Sequence, residues 1–171
     1  PASFLEELLA IAGSATPVLI DPVSTAYARQ MEPVCGRFFA VKPNEMELSI
    51  LSGLPTATET EIERASERLL NRGTKAVAVS RGEKGCYYAD AEGRRIFRAL
   101  RPVEQMVNAT GAGDAFMAGF THGFVDDMPI GERLDYALAS GVTAIQSLTT
   151  INPDMSDALV RENMKRYRRN G

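Results

Sequence analysis

Asn108-Ala109-Thr110-Gly111-Ala112-Gly113-Asp114-Ala115-Phe116 is the stretch on which the reading of this chain turns. Two glycines separated by one small residue let the backbone turn sharply and bring its N–H groups close to a ligand. The residues from Ala112 to Phe124 are predicted to form a helix. The turn's N–H groups therefore open a helix, where unpaired donors and the helix dipole favour an anion. Asp114 falls inside that first turn, where a carboxylate suits the dipole but opposes any phosphate bound beside it. Two readings fit. Asp114 faces an incoming hydroxyl as general base while the N–H cluster holds a transferring phosphoryl group, or the stretch is a plain helix start capped by Thr110. Two common phosphate motifs are excluded. GxGxxG begins at Gly111 and Gly113 but puts its third glycine on Phe116, and GxxxxGK[ST] occurs nowhere.

Outward from this stretch, helical and strand signals alternate. Phe4, Leu5, Leu8, Leu9 and Ile11 follow helical spacing, and Gly13 is placed to end that helix. Pro17-Val18-Leu19-Ile20 and Phe38-Phe39-Ala40-Val41 are short apolar runs of the kind found in buried strands, the first closed by Asp21-Pro22 and the second by Lys42-Pro43-Asn44. A short helix from about Glu45 to Leu51 should stop at Gly53. Thr58 to Asn71 is the clearest helix, since Thr58 and Glu61 make a capping box and Ile62, Ala65, Leu69 and Leu70 supply a buried stripe, with Gly73 as its stop. Ala76 to Val79 is another buried strand, and Cys86 to Ala89, Glu92-Gly93 and Arg95 to Arg98 read as an antiparallel hairpin. Further helices are expected over Gly131 to Leu148 and about Ser156 to Arg168. This alternation predicts an α/β architecture with a mostly parallel sheet. Such sheets bind ligands beyond the carboxyl ends of their strands.

Composition bounds the function. The 171 residues, 44% hydrophobic, are enough for one domain with a sizeable core. With 19 basic and 22 acidic residues the net charge is -3, which argues against a general nucleic-acid or anionic-membrane binder. One histidine and the separated Cys35 and Cys86 cannot make a usual zinc site without carboxylate help. Reduced thiols, no apolar run of membrane-spanning length and no signal-peptide pattern lead to the expectation of a cytoplasmic protein. The start at Pro1 hints at processing or trimming.

Three other stretches lie just after predicted strands or on a distinctive helix face. Lys42-Pro43-Asn44-Glu45-Met46-Glu47 places Asn44 at a helix start and Glu47 one turn along, where its carboxylate can organise a hydrated Mg²⁺; a strand-to-helix turn with solvated charges explains the same residues. Ser80-Arg81-Gly82-Glu83-Lys84-Gly85 follows a predicted strand and reads as a strand connection needing glycine for its backbone angles. Ala137, Ser140, Gly141 and Ala144 form a face of small side chains, on which a flat base can lie or another helix can pack. His122, two turns beyond Asp114, has a structural reading, as do Phe116, Phe120 and Phe124 at i+4 spacing. Lys165, Arg166, Arg168 and Arg169 suit a helix C-terminus.

Gly111-Ala112-Gly113-Asp114 followed by Ala118-Gly119 resembles the C-terminal signature of the PfkB (ribokinase) family of sugar and nucleoside kinases. Lys42 with Asn44-x-x-Glu47, and Ser80-x-Gly82-x-x-Gly85, resemble two further motifs of that family in the expected order. The resemblance implies a ribokinase-like (Rossmann-like) α/β fold, a mostly parallel sheet flanked by helices, read over residues 1–171 as a single domain. It also implies that the family's N-terminal half, with most acceptor-binding residues and a β lid, is missing, so the fold is incomplete. It assigns the anion hole to Gly111, Ala112 and Gly113, and deprotonation of the acceptor hydroxyl to Asp114. By the same resemblance Lys42, Asn44, Ser80, Gly82 and Thr110 face the nucleotide, Glu47 holds Mg²⁺ through water, and Ala137, Ser140, Gly141 and Ala144 lie beside adenine. ATP and Mg²⁺ are the implied cofactors. The family's commonest form opens Asp-Thr where this chain has Asn108-Ala109, which removes the charge that a monovalent-cation site would use.

Asp21-Pro22-Val23-Ser24-Thr25-Ala26, taken with the other motifs, is similar to the pseudouridine kinases within the family. The implied reaction moves the ATP γ-phosphoryl group to a hydroxymethyl group, giving pseudouridine 5′-phosphate; ribokinase, fructokinase and other nucleoside kinases stay open as readings. Implied partners are ATP and a small-molecule nucleoside or sugar, with no nucleic acid, no membrane, and a homodimer through the missing lid. The rival classes are a non-catalytic nucleotide sensor and a fragment that binds nothing.

Overall fold

Capping side chains set where most of the helices begin. The structure, a computed structural model, describes residues 2–103 and 106–169. The chain divides into two compact units, Pro1–Arg81 with Tyr87–Phe97, and Gly82–Cys86 with Arg98–Gly171.

The first unit carries α1 (Ala2–Ala12), β1 (Leu19–Ile20), α2 (Thr25–Met31), a 3₁₀ helix over Glu32–Arg37, β2 (Ala40–Val41), α3 (Glu45–Ser52), α4 (Glu59–Asn71) and β3 (Ala76–Ser80). The hairpin strands β4 (Cys86–Asp90) and β5 (Arg95–Arg98) follow, their end residues Cys86 and Arg98 counting with the second unit. Thr58 accepts from the Glu61 N–H while the Glu61 carboxylate accepts from the Thr58 N–H, so α4 starts as its capping box predicts. Gly13 and Gly53 close α1 and α3 at φ of 68° and 67°, conformations that cost a residue without Cβ little. The sheet order is β1-β2-β3-β4-β5. β1, β2 and β3 are parallel, with Leu19 opposite Ala40 and Val41 opposite Val77. The hairpin makes the sheet mixed, its turn closed by the Asp90 N–H donating to Arg94 O at 3.2 Å.

Val41, Leu48, Leu51, Ile62, Leu69, Val77, Val79 and Tyr87 are fully buried and form the core between sheet and helices. Two features depart from expectation. β1 is half-buried rather than buried, because it is the edge strand of the described sheet. Residues 25–37, given no element by their sequence, are helical. Ser24 caps α2 through the Tyr27 N–H at 3.3 Å, and only Ala28 and Met31 of that helix are buried.

The second unit contains a 3₁₀ turn over Gly82–Lys84, α5 (Ala112–Val125), α6 (Ile130–Ile145) and α7 (Asp157–Tyr167). Its core gathers Leu100, Tyr136, Ala139, Val142, Val160 and Tyr167. Ser156 caps α7 by accepting from the Leu159 N–H. α6 ends three residues before the expected Leu148. Ser147 there accepts the Thr149 N–H on its hydroxyl, offering the backbone an alternative to the helical bond. Within this unit Arg98 grips the buried Asp135 of α6 with two bonds of 2.6 and 2.7 Å, a bidentate pair. Among the described residues no helix is long and apolar enough to cross a membrane.

Candidate active site

The first unit supplies one set of candidate residues. Beyond β2 the chain runs through Lys42-Pro43 into α3. The Lys42 N–H donates to Ile20 O at 2.9 Å, and its side chain, almost wholly buried, pairs Nζ with Asp21 Oδ2 at 2.7 Å. Asn44 caps α3: its Oδ1 accepts the Glu47 N–H at 2.8 Å, and Glu47 Oε2 accepts the Asn44 N–H at 2.9 Å. Asn44 and Glu47 are thus a reciprocal capping box, a role beyond those expected of them and one that the Asn-x-x-Glu spacing signals. Ser80, at the end of β3, donates its N–H to Pro43 O at 2.9 Å and bridges Asn44, so residues 36 apart in the chain meet. Arg81, beside it, is fixed by Glu45 at 3.2 Å, Glu59 at 3.0 Å and the Phe97 ring at 5.0 Å.

Glu47 is 3% exposed and spends one oxygen on its cap. Among the described residues no group of three or more His, Cys, Asp or Glu is arranged to hold a metal. A single partly engaged carboxylate fits an ion that keeps its waters and takes its other ligands from phosphate, which is the habit of Mg²⁺.

The second unit supplies the other set. Gly82 opens its 3₁₀ turn at φ 56°. Gly85 is glycine both for its backbone angle, at φ 86°, and for packing, since a Cβ there would lie 2.0 Å from Arg98 O. Gly111, not Thr110, caps α5, and no side chain bonds to that helix start. Thr110 stands one residue before the cap, its N–H donating to Asn108 Oδ1 at 2.9 Å in a local turn. Gly111 adopts φ 85°, and a Cβ on it would fall 2.4 Å from Thr150 O. The loop before it is tied to the end of α6, where Ile145 O accepts the N–H groups of Val107 and Asn108 at 2.8 and 3.2 Å. With no side-chain cap, the N–H groups of Gly113 and Asp114 are among the donors that a helix start leaves open. Asp114 is exposed and, among the described residues, its carboxylate has no hydrogen-bond or ion-pair partner.

The small face of α6 is largely closed within the unit. A Cβ on Gly119 of α5 would come 2.4 Å from Ser140 Oγ and 3.0 Å from Ala137 Cα, so Ala137 and Ser140 let the two helices approach. Ser140 also donates to Tyr136 O at 2.9 Å. Ala144 is buried, and Gly141 alone of the four is partly exposed, with Ala112 O 3.4 Å from where its Cβ would stand. His122 lies against the Tyr136 ring at 5.0 Å and within 3.5 Å of Asp126, in a surface cluster at the far end of α5.

Residues 1–158 match the pfkB family of carbohydrate kinases. The chain belongs to that family. As a PfkB chain it has the ribokinase-like α/β fold that its sequence implied. It is 32% identical to the pseudouridine kinase of Escherichia coli (strain K12) over 145 residues, 84% of this chain and 46% of that protein. A crystal structure from Clostridium perfringens superposes on it with a TM-score of 0.92 at 30% identity, covering 97% of this chain and 52% of the other. Arabidopsis thaliana ribokinase, solved in complex with ribose and ATP, superposes with a TM-score of 0.79 at 29% identity, covering 96% and 53%. The PfkB chain therefore spans about half the length of the relatives it matches.

Proposed function

We propose that the protein carrying this chain is an ATP-dependent kinase that phosphorylates a hydroxymethyl group of a nucleoside or sugar, with pseudouridine as the first acceptor to test. The observation that carries the reading is the start of α5: a left-handed Gly111 held against Thr150, a helix mouth without a side-chain cap, and an unpartnered Asp114 in its first turn. Backbone donors fixed before the substrate arrives stabilise developing charge without reorganising. Asp114 accepts the acceptor's hydroxyl proton. The hydroxyl oxygen then bonds to the γ-phosphorus as the bond from that phosphorus to the β,γ-bridging oxygen breaks, releasing ADP. Gly111 and Gly113 stabilise the moving phosphoryl group through their N–H groups, with Ala112, whose N–H donates to Ala109 O at a long 3.4 Å, between them. Lys42 contributes positive charge to the triphosphate, and Asn44, Ser80, Gly82 and Thr110 orient it. Mg²⁺, held through water by Glu47, would supply further neutralisation of the phosphates. Of the small face of α6, Gly141 is the position left with exposure to meet the adenine.

The pseudouridine reading is supported by the 32% identity to a pseudouridine kinase. A sugar acceptor of the ribokinase kind is the second reading, supported by the likeness to the ribose-bound ribokinase. The test is an acceptor screen with the complete protein and Mg-ATP, pairing pseudouridine and uridine with ribose and fructose. A kcat/KM at least tenfold higher for pseudouridine than for ribose is expected. Preference for a free sugar moves the assignment to the second reading, and ATP binding without turnover on any acceptor refutes the kinase reading.

A further inference from the structure

The motif Asp21-Pro22-Val23-Ser24 has a geometry that the mechanism above leaves unused. Val23 stands at φ 62°, a left-handed conformation that a β-branched residue adopts only at a cost. The Ser24 N–H donates to Pro22 O at 2.6 Å across it, making a three-residue turn of the strained, positive-φ sense. Asp21 fastens this turn with one oxygen and reaches Lys42 with the other: Oδ1 accepts the Val23 N–H at 2.9 Å, and Oδ2 pairs with Lys42 Nζ at 2.7 Å. Both side chains of the pair are largely withdrawn from water, at 6% and 14% exposure. The parallel pairing of β1 with β2 brings the two residues together beyond the carboxyl ends of these strands, since Ile20 and Val41, their immediate neighbours, are in register.

A lysine ammonium has three donors on a flexible stem and takes a defined direction only when something holds it. We infer that Asp21 is the positioning residue for Lys42, gripping one of its three N–H groups and aiming the other two at phosphate oxygens. The strained turn is what sets the carboxylate at that height, because the Val23 N–H fixes the rotation of the Asp21 side chain. This inference rests on the reading of Lys42 as a phosphate contact.

The test is a double-mutant cycle on the complete protein with Asp21→Asn, Lys42→Met and both together, measuring kcat and the KM for ATP. A residue that acts through Lys42 loses its influence once Lys42 is gone, whereas one that merely supports the fold does not. Asp21→Asn should lower kcat by on the order of ten- to a hundredfold, the scale of a misplaced group, with ATP KM changed far less. In the Lys42→Met background it should lower kcat no further, and Asp21→Glu should recover part of the loss. Equal losses in both backgrounds, or an unchanged kcat for Asp21→Asn, overturn the inference while leaving the kinase reading intact. A readout independent of turnover covers the case in which the kinase reading itself fails. Reductive labelling of Lys42 by pyridoxal 5′-phosphate, followed by mass spectrometry, should be several-fold faster in Asp21→Asn, because the paired ammonium is released; an unchanged labelling rate also overturns the inference.

Discussion

Replacing Gly111 by alanine, set beside the same change at Gly53, separates backbone strain from displacement of the loop at the mouth of α5. At φ 85° an added Cβ costs about 1–2 kcal/mol through its left-handed conformation alone. It also meets Thr150 O at 2.4 Å and Thr150 Cγ2 at 3.2 Å. Real Cβ contacts do not fall below 3.0 Å, so the loop or the Thr150 carbonyl must give way by at least ~0.6 Å. Such a shift moves the mouth of α5, and misplacement by about an ångström can cost on the order of a hundredfold in rate. Gly53→Ala is the matched control. Gly53 has φ 67° with nothing within 4 Å of its added Cβ, so it carries the left-handed cost without the collision. The assay pairs kcat at saturating ATP and acceptor with the melting temperature by calorimetry. Both variants should melt a few degrees lower, Gly53→Ala should keep its kcat, and Gly111→Ala should lose ten- to a hundredfold. A folded Gly111→Ala with kcat within about twofold of the parent would refute the claim that this loop holds the transferring group.

Three further outcomes are expected. Burial pushes the Asp90 carboxyl up, but the Arg94 N–H, the Arg94 guanidinium and the Tyr88 hydroxyl outweigh it and hold the group below the usual carboxylate range. Its stabilisation is therefore complete above the ordinary aspartate value near 4 and is lost as pH falls through the depressed one. Asp90→Asn should cost about 2 kcal/mol at pH 7 by denaturant titration, and the gap from the parent should shrink below about pH 4; a gap independent of pH contradicts the assignment. Gly119→Ala should destabilise by about 1–3 kcal/mol by forcing α5 from Ser140 and Ala137, and an unchanged denaturation midpoint would show that the helices have room to spare. Thr58→Ala should cost about 1 kcal/mol by uncapping α4, read in the same titration.

Local rules made much of this fold legible. The capping box at Thr58 and Glu61, the glycine stops at 13 and 53, and the turn at Glu92-Gly93 each act within a few residues, so their signals survive in sequence alone. α2 was not legible because Tyr27 faces solvent and only Ala28 and Met31 are buried, too few for an apolar stripe; Ser24 was its one local sign. The cap at Gly111 has no local signature for a related reason, since its left-handed φ and the nearness of Thr150 are set by a segment 39 residues away. In the candidate site, Asp114 and the glycine loop stood out through residue type and spacing. The pairing of Lys42 with Asp21 could not, because it depends on the register of two parallel strands. The face of Ala137 and Ser140 admitted two readings from sequence, and burial against Gly119 shows that helix packing uses it.

The most direct test of the account compares the complete protein with its Asp114→Asn variant, following transfer of the γ-phosphoryl group from labelled ATP to the best acceptor. Asparagine keeps the shape of the side chain and removes its capacity to take a proton. Turnover should fall by at least about a hundredfold, the contribution of a positioned general base, while calorimetry shows ATP bound with an affinity close to that of the parent. Near-normal turnover in Asp114→Asn would contradict the assignment of this carboxylate, and with it the reading of the α5 mouth as the place where phosphate is transferred.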